Sequence, residues 1–203
     1  MFDLTTRNAL AETAREAGID AAALLAIAEV ESGGCALFQV AGRMEPAIRF
    51  EGHYFDRRLS GRIREQARAG GLSDPVAGKV RNPRLQTERW RLLNRAMEVS
   101  RKAALESTSW GIGQVMGAHW AWLGYQTIGE LVAEERHSVA GQTRLMLRFI
   151  EKAGLKDTLQ AQDWAGFARR YNGPAFARNR YDSRMAAAFS RWSGSLGERT
   201  AAA

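Results

Sequence analysis

Ala26-Ile27-Ala28-Glu29-Val30-Glu31-Ser32-Gly33-Gly34 is the stretch on which the reading of this chain turns. An apolar helical run ends in a carboxylate, and a Ser-Gly-Gly break follows at once. Leu24, Ala28 and Glu31 fall at i, i+4 and i+7, so they share one helix face. That face is apolar and therefore the buried one. A carboxylate placed there loses solvation, which raises its pKa. An acid still protonated near neutral pH is what a leaving sugar oxygen requires. The same letters also describe a helix-end residue ion-paired with one of the many arginines, and this stretch alone leaves both readings open.

Outward from this stretch the pattern is mostly helical. A first helix is expected from Thr6 to Ala17, ended by Gly18. The helix carrying Glu31 starts after Asp20, a good N-cap, and stops at Gly33-Gly34. From 36 to 55 the pattern changes: Leu37–Val40, the turn-like Ala41–Arg43 and Ala47–Glu51 predict a short hairpin, with Phe50 and Glu51 on a strand. Residues 56–83, rich in Arg, Gly and Pro, read as irregular surface with a short helix. A long amphipathic helix is expected from Leu85 to Leu105, with Trp90, Leu93, Met97 and Ala104 along it. Further helices are expected over 114–123, 127–133, 135–153, 163–171 and 174–192, and a frayed tail over 194–203. The fold class is therefore mainly α, with a small β-hairpin flap beside the candidate acid.

The 203 residues fit one domain, 1–203, with a real core. Forty-five per cent hydrophobic residues and six tryptophans exclude a disordered chain. No apolar run is long enough for a transmembrane helix, and the start, Met1 to Arg7, does not read as a secretory signal. The single cysteine, Cys35, has no partner for an intramolecular disulfide. It reads as a small buried thiol rather than a nucleophile served by His53 or His119. His53, His119 and His137 show no metal-ligand spacing, so neither metal nor cofactor is expected. The net charge of +7 favours polyanionic partners, a bacterial envelope or a nucleic acid, without choosing between them.

Two later segments take up the signal of Glu31. One is Glu106 to Met116, containing Ser107-Thr108-Ser109-Trp110-Gly111-Ile112-Gly113-Gln114. The other is Arg170-Tyr171-Asn172-Gly173-Pro174. With Glu29–Gly34, Gly42-Arg43 and Phe50-Glu51-Gly52-His53 they stand in an order that resembles the phage-type N-acetylmuramidase endolysin domain of the lysozyme-like superfamily. The resemblance spans roughly residues 5 to 192. It implies a lysozyme-like fold and cleavage of peptidoglycan glycan strands at the β-1,4 bond from N-acetylmuramic acid to N-acetylglucosamine. It also implies accumulation in the host cytoplasm until a holin-type pore opens the way to the wall.

On this reading Glu31 is the general acid. Glu51 is the second carboxylate, carried back across the cleft by the hairpin, as nucleophile, base or electrostatic stabiliser. Asp56 sits among arginines and Glu29 points to another side of the helix, so neither is chosen. Glu45 is expected near the turn and exposed, and Glu106 is read as structural. Gly111 and Gly113 allow close backbone approach. Gln114 offers an amide to an N-acetyl or hydroxyl group. Tyr171 and Asn172 are placed across the cleft, beside the acid. Of Trp110, Trp120 and Trp122, only Trp110, next to the glycines, is taken as a sugar platform.

The rival readings are a lytic transglycosylase giving anhydromuramoyl ends, a non-catalytic wall-binding protein on the same fold, and a basic nucleic-acid binder. The last would need exposed aromatics among its arginines, which Arg57 to Arg68 lack, so no nucleic-acid partner is expected. The basic segment from Pro174 to Trp192 reads as a core-packing helix with a solvated face, or as a weak contact with an anionic outer membrane. A monomer suffices for the chemistry.

Overall fold

The computed structural model describes residues 1–200. Asp20 caps α2 (Ala21–Ser32), accepting from the Ala23 N–H at 3.0 Å, and Gly33, at φ 70°, ends it in the left-handed conformation. Every residue from Ala22 to Ala28 is buried, so α2 is a core helix covered on all sides. Around it pack α1 (Leu4–Glu16), α7 (Val139–Lys152), α9 (Trp164–Asn172) and α10 (Tyr181–Thr200). α10 lies along α2 with Met185, Ala188 and Trp192 in the shared core. Arg191 and Trp192 both donate to Glu29, at 2.8 and 2.7 Å, so Glu29 does face away from the side that carries Glu31.

A second core is built on α5 (Gln86–Glu106), α6 (Ile128–His137), α3 (Gly52–Arg58) and α4 (Gly61–Ala69). α5 kinks at Ser100, whose φ of −159° and ψ of 101° are not helical. Short connectors complete the described chain: α8 (Lys156–Gln160) and two 3-10 turns, Gly117–His119 and Phe176–Asn179. α10 continues to Thr200, beyond the Gly194 at which the sequence reading starts the tail, and 201–203 lie outside the described residues. No described helix is long and apolar enough to cross a membrane.

The β-structure corrects the single expected hairpin. β1 (Leu37–Val40) pairs with β2 (Arg43–Pro46) around Ala41-Gly42. β3 (Ile48–Phe50) leaves that hairpin and pairs antiparallel with β4 (Thr108–Trp110), which pairs with β5 (Val115–Met116). Phe50 is on a strand as expected, but Glu51 is the N-cap residue of α3. Of the helix expected over 114–123 only the 3-10 turn Gly117–His119 forms. Gly111 at φ 64° and Gln114 at φ 47° instead turn β4 back into β5. Glu45, expected to be exposed, is buried and ion-paired to Arg136 on α6. Cys35 is exposed, not buried.

α7 is the wall between the two cores. Met146, Leu147 and Ile150 serve the first, Leu145 the second, and Phe149 packs against both. Gln142 ties this wall in place. It is fully buried; its Oε1 accepts from the Ile112 N–H at 3.1 Å and its Nε2 donates to the Ala36 carbonyl at 3.3 Å. One side chain thus joins α7 to the β4–β5 turn and to the segment leaving α2. Replacing it by Leu strands a buried amide and a buried carbonyl, each costing about 1–3 kcal/mol. Urea unfolding of Gln142→Leu is expected to show a loss on the order of 3 kcal/mol; a change within the scatter of surface variants would contradict the staple.

Candidate active site

Glu31 lies in the last turn of α2, on the face defined by Leu24 and Ala28, both fully buried. The chain places it at the negative end of a helix, where a carboxylate is disfavoured. Its Oε1 accepts from Asn172 Nδ2 at 2.6 Å, across a separation of 141 residues. Burial pushes its pKa up from 4.5 to about 7, against the Asn172 hydrogen bond and the charges of Arg184 and Arg49, which pull it down. Desolvation wins because no cation makes direct contact. Glu31 is therefore split between acid and carboxylate near neutral pH. Asn172 suits both forms: its Nδ2 donates to a carboxylate, while its Oδ1, buried without a partner, can serve an acid proton after rotation of the amide.

Tyr171 precedes Asn172 on α9 and donates its hydroxyl to the Gly113 carbonyl at 2.7 Å. Burial first, then the charges of Glu31 and Glu135, hold its pKa well above 10, so it remains a neutral donor. This bond fixes the β4–β5 turn against α9. Gly111 has to be glycine: its φ is 64°, and a Cβ would stand 1.9 Å from Glu135 Oε2. At Gly113 a Cβ would stand 2.7 Å from Met146 Cγ. Gln114 folds back on its own turn, its Nε2 donating to the Gly111 carbonyl at 2.8 Å.

The structure thus brings Glu31, Asn172, Tyr171 and the Gly111–Gln114 turn together. Glu51 is linked to this group only through Arg49. Its Oε1 accepts from Arg49 Nε at 2.7 Å, and His53 Nδ1 lies 3.5 Å from its Oε2. Arg49 is the same cation whose charge reaches Glu31. Trp110 is not part of the site. It is fully buried, its Nε1 donates to the Leu105 carbonyl at 3.1 Å, and it packs edge-on to Trp90, so neither face is free for a sugar. Glu106 has the structural place expected of it, accepting from Trp120 Nε1 at 2.9 Å and Arg58 Nε at 3.3 Å.

Three groups around Glu31 were not singled out from the sequence. Arg49 stands on the open face of β3, between buried Ile48 and Phe50, and strand alternation marks that position. Arg184 and Tyr181 come from α10, and only the packing of α10 on α2 brings them near. Glu135 is a second case of the Glu31 pattern. Ile128, Leu131, Val132 and Glu135 form the buried face of α6, at i, i+3, i+4 and i+7. Its Oε2 is buried without a partner, and burial, then the charge of Glu134, raise its pKa well above 4.5. Among the described residues, no three of His, Cys, Asp and Glu gather closely enough to hold a metal ion.

A family model described as N-acetylmuramidase matches residues 20–193. Among solved structures the chain is similar to the crystal structure of the Burkholderia AP3 phage endolysin. The TM-score is 0.76 at 34% sequence identity, covering 92% of this chain and 71% of that one. No curated protein matches the chain.

A carboxyl whose folded pKa lies above its unfolded value keeps its proton on folding. The stability it contributes is complete below the unfolded pKa and is lost as pH rises through the folded one. For Glu31 the window runs from 4.5 to about 7. Glu31→Gln is therefore expected to be more stable than the wild type at pH 8, by on the order of 3 kcal/mol, and equal to it near pH 4. Thermal unfolding at both pH values checks this; equal stability at pH 8 would mean that Glu31 ionises at no cost.

Proposed function

We propose, since the chain belongs to the N-acetylmuramidase family, that it is a peptidoglycan-cleaving endolysin that hydrolyses the β-1,4 bond from N-acetylmuramic acid to N-acetylglucosamine. One observation carries the reading: a half-buried helix-end carboxyl on the apolar face of α2, with its pKa raised by desolvation to about 7 and an amide placed to orient it. Its similarity to the Burkholderia AP3 phage endolysin supports the phage setting. In that setting the enzyme acts after release through a holin-type pore.

Glu31 in its acid form donates its proton to the glycosidic oxygen as the bond to C1 breaks. Positive charge then develops on the sugar ring in an oxocarbenium-like transition state. Asn172 aims the carboxyl, and the departing proton leaves a carboxylate that Arg49 and Arg184 stabilise from a distance. The turn Gly111–Gln114, braced by Tyr171, forms the floor against which the sugar's N-acetyl and hydroxyl groups lie. Glu51, positioned through Arg49, serves the incoming water or the developing charge. The oxygen of a water then bonds to C1 while one of its protons passes to the Glu31 carboxylate, which regenerates the acid and completes hydrolysis.

Mass spectrometry of fragments released from purified peptidoglycan tests the reading. Reducing N-acetylmuramic acid ends are expected from the wild type. Glu31→Gln should lower kcat/KM by about three orders of magnitude, within the range for loss of a general acid. The wild-type rate should fall as pH rises past about 7, because only the protonated acid can donate. Anhydro ends would reassign the chemistry to a transglycosylase, and a folded wild type that releases nothing would leave a wall-binding role.

A further inference from the structure

Trp122 is exposed to 45%, and it is the only exposed Phe, Tyr or Trp among the described residues. The turn that carries it is firmly anchored. Leu123 and Tyr125, just after it, are buried, and the Leu123, Gly124 and Tyr125 N–H groups donate to the carbonyls of His119, Ala121 and Trp120 at 2.8 to 3.1 Å. The indole is therefore displayed on an anchored support.

Its position is what gives it meaning. The Trp122 ring meets Phe149 edge-on at 5.7 Å between centroids, and Phe149 meets Tyr171 in the same way at 5.1 Å. Tyr171 braces Gly113, and its neighbour Asn172 holds Glu31. A continuous aromatic lane thus runs from the candidate acid out to an open indole. His119 flanks the lane, 5.6 Å from Trp122 and 5.5 Å from Phe149. Burial, then the charge of Arg58, lower its pKa, so its imidazole is neutral and offers one donor and one acceptor. An apolar ring face beside such a polar edge matches a pyranose, which has an apolar C–H face and a rim of hydroxyl and acetamido groups.

We propose that Trp122, with His119 at its edge, is a subsite that holds an N-acetylhexosamine ring of the glycan strand away from the bond cleaved at Glu31. This rests on the muramidase reading for the identity of the strand. Stacking there acts on substrate and transition state alike, so it contributes to binding rather than to the chemical step.

The test is steady-state cleavage of soluble peptidoglycan strands by the wild type, Trp122→Ala and Trp122→Tyr, with folding checked by circular dichroism. Trp122→Ala is expected to raise KM about tenfold with kcat within about twofold, the signature of lost uniform binding. Trp122→Tyr, which keeps an aromatic face, should recover most of the loss. An unchanged KM in an active Trp122→Ala overturns the subsite while leaving the muramidase reading intact. A wild type that cleaves nothing overturns the muramidase reading instead. A second readout does not need turnover: Glu31→Gln titrated with an N-acetylglucosamine oligomer should show quenched tryptophan fluorescence. The change should be absent when Trp122→Tyr is added. Equal quenching in both proteins would also refute the subsite.

Discussion

The desolvation of one carboxyl governs this structure. Glu31 ends a helix that is buried along nearly its whole length, and it lies on that helix's apolar face. Asn172 of α9 bonds it directly, while two cations, Arg49 and Arg184, act only through space. A direct ion pair would have held the group ionised at neutral pH and removed its value as an acid. The fold instead gives it an amide, Asn172, which orients the carboxyl without committing it to either protonation state. Folding tolerates the resulting cost because α2 buries so much apolar surface around it.

The rest of the architecture keeps that arrangement in register. α7 separates the two cores and serves both, and Gln142 bonds it to the turn after β4 and to the chain leaving α2. The same turn is gripped from the other side by the Tyr171 hydroxyl. Close packing explains its glycines, since Glu135 and Met146 occupy the space that side chains would need. The backbone of this turn is thus fixed by side chains from α6, α7 and α9.

Much of this was legible in the sequence wherever local rules decide. The Asp20 cap, the Gly33 stop, the buried side of α2 and the turn of Glu29 away from Glu31 all follow from helical period and capping chemistry. Asn172, singled out from the motif order, bonds Glu31, while Tyr171 beside it bonds the Gly113 carbonyl. What local rules cannot supply is long-range pairing. Ile48–Phe50 had turn signals that suggested the hairpin behind it, yet it pairs with Thr108–Trp110 about sixty residues away. Glu45 looked exposed because its partner, Arg136, is 91 residues away. Trp110 proved to be core for the same reason: proximity to a glycine motif says nothing of which indole is covered by Trp90 and which is left open. Glu135 was legible in principle, since it repeats the i, i+7 pattern of Glu31 on α6, but its charged neighbours masked the periodicity.

Glu31 can act as an acid only while it holds its proton, and the most direct measurement is its own titration. Carbon-13 NMR of the glutamate carboxyls, with the Glu31 resonance assigned by its loss in Glu31→Gln, reads the midpoint without substrate or turnover. A midpoint near 7 is expected from a desolvated acid held by Asn172. A midpoint at the ordinary 4.5 would mean that water or a cation reaches the carboxyl, and the proposed acid would be ionised where the enzyme has to work.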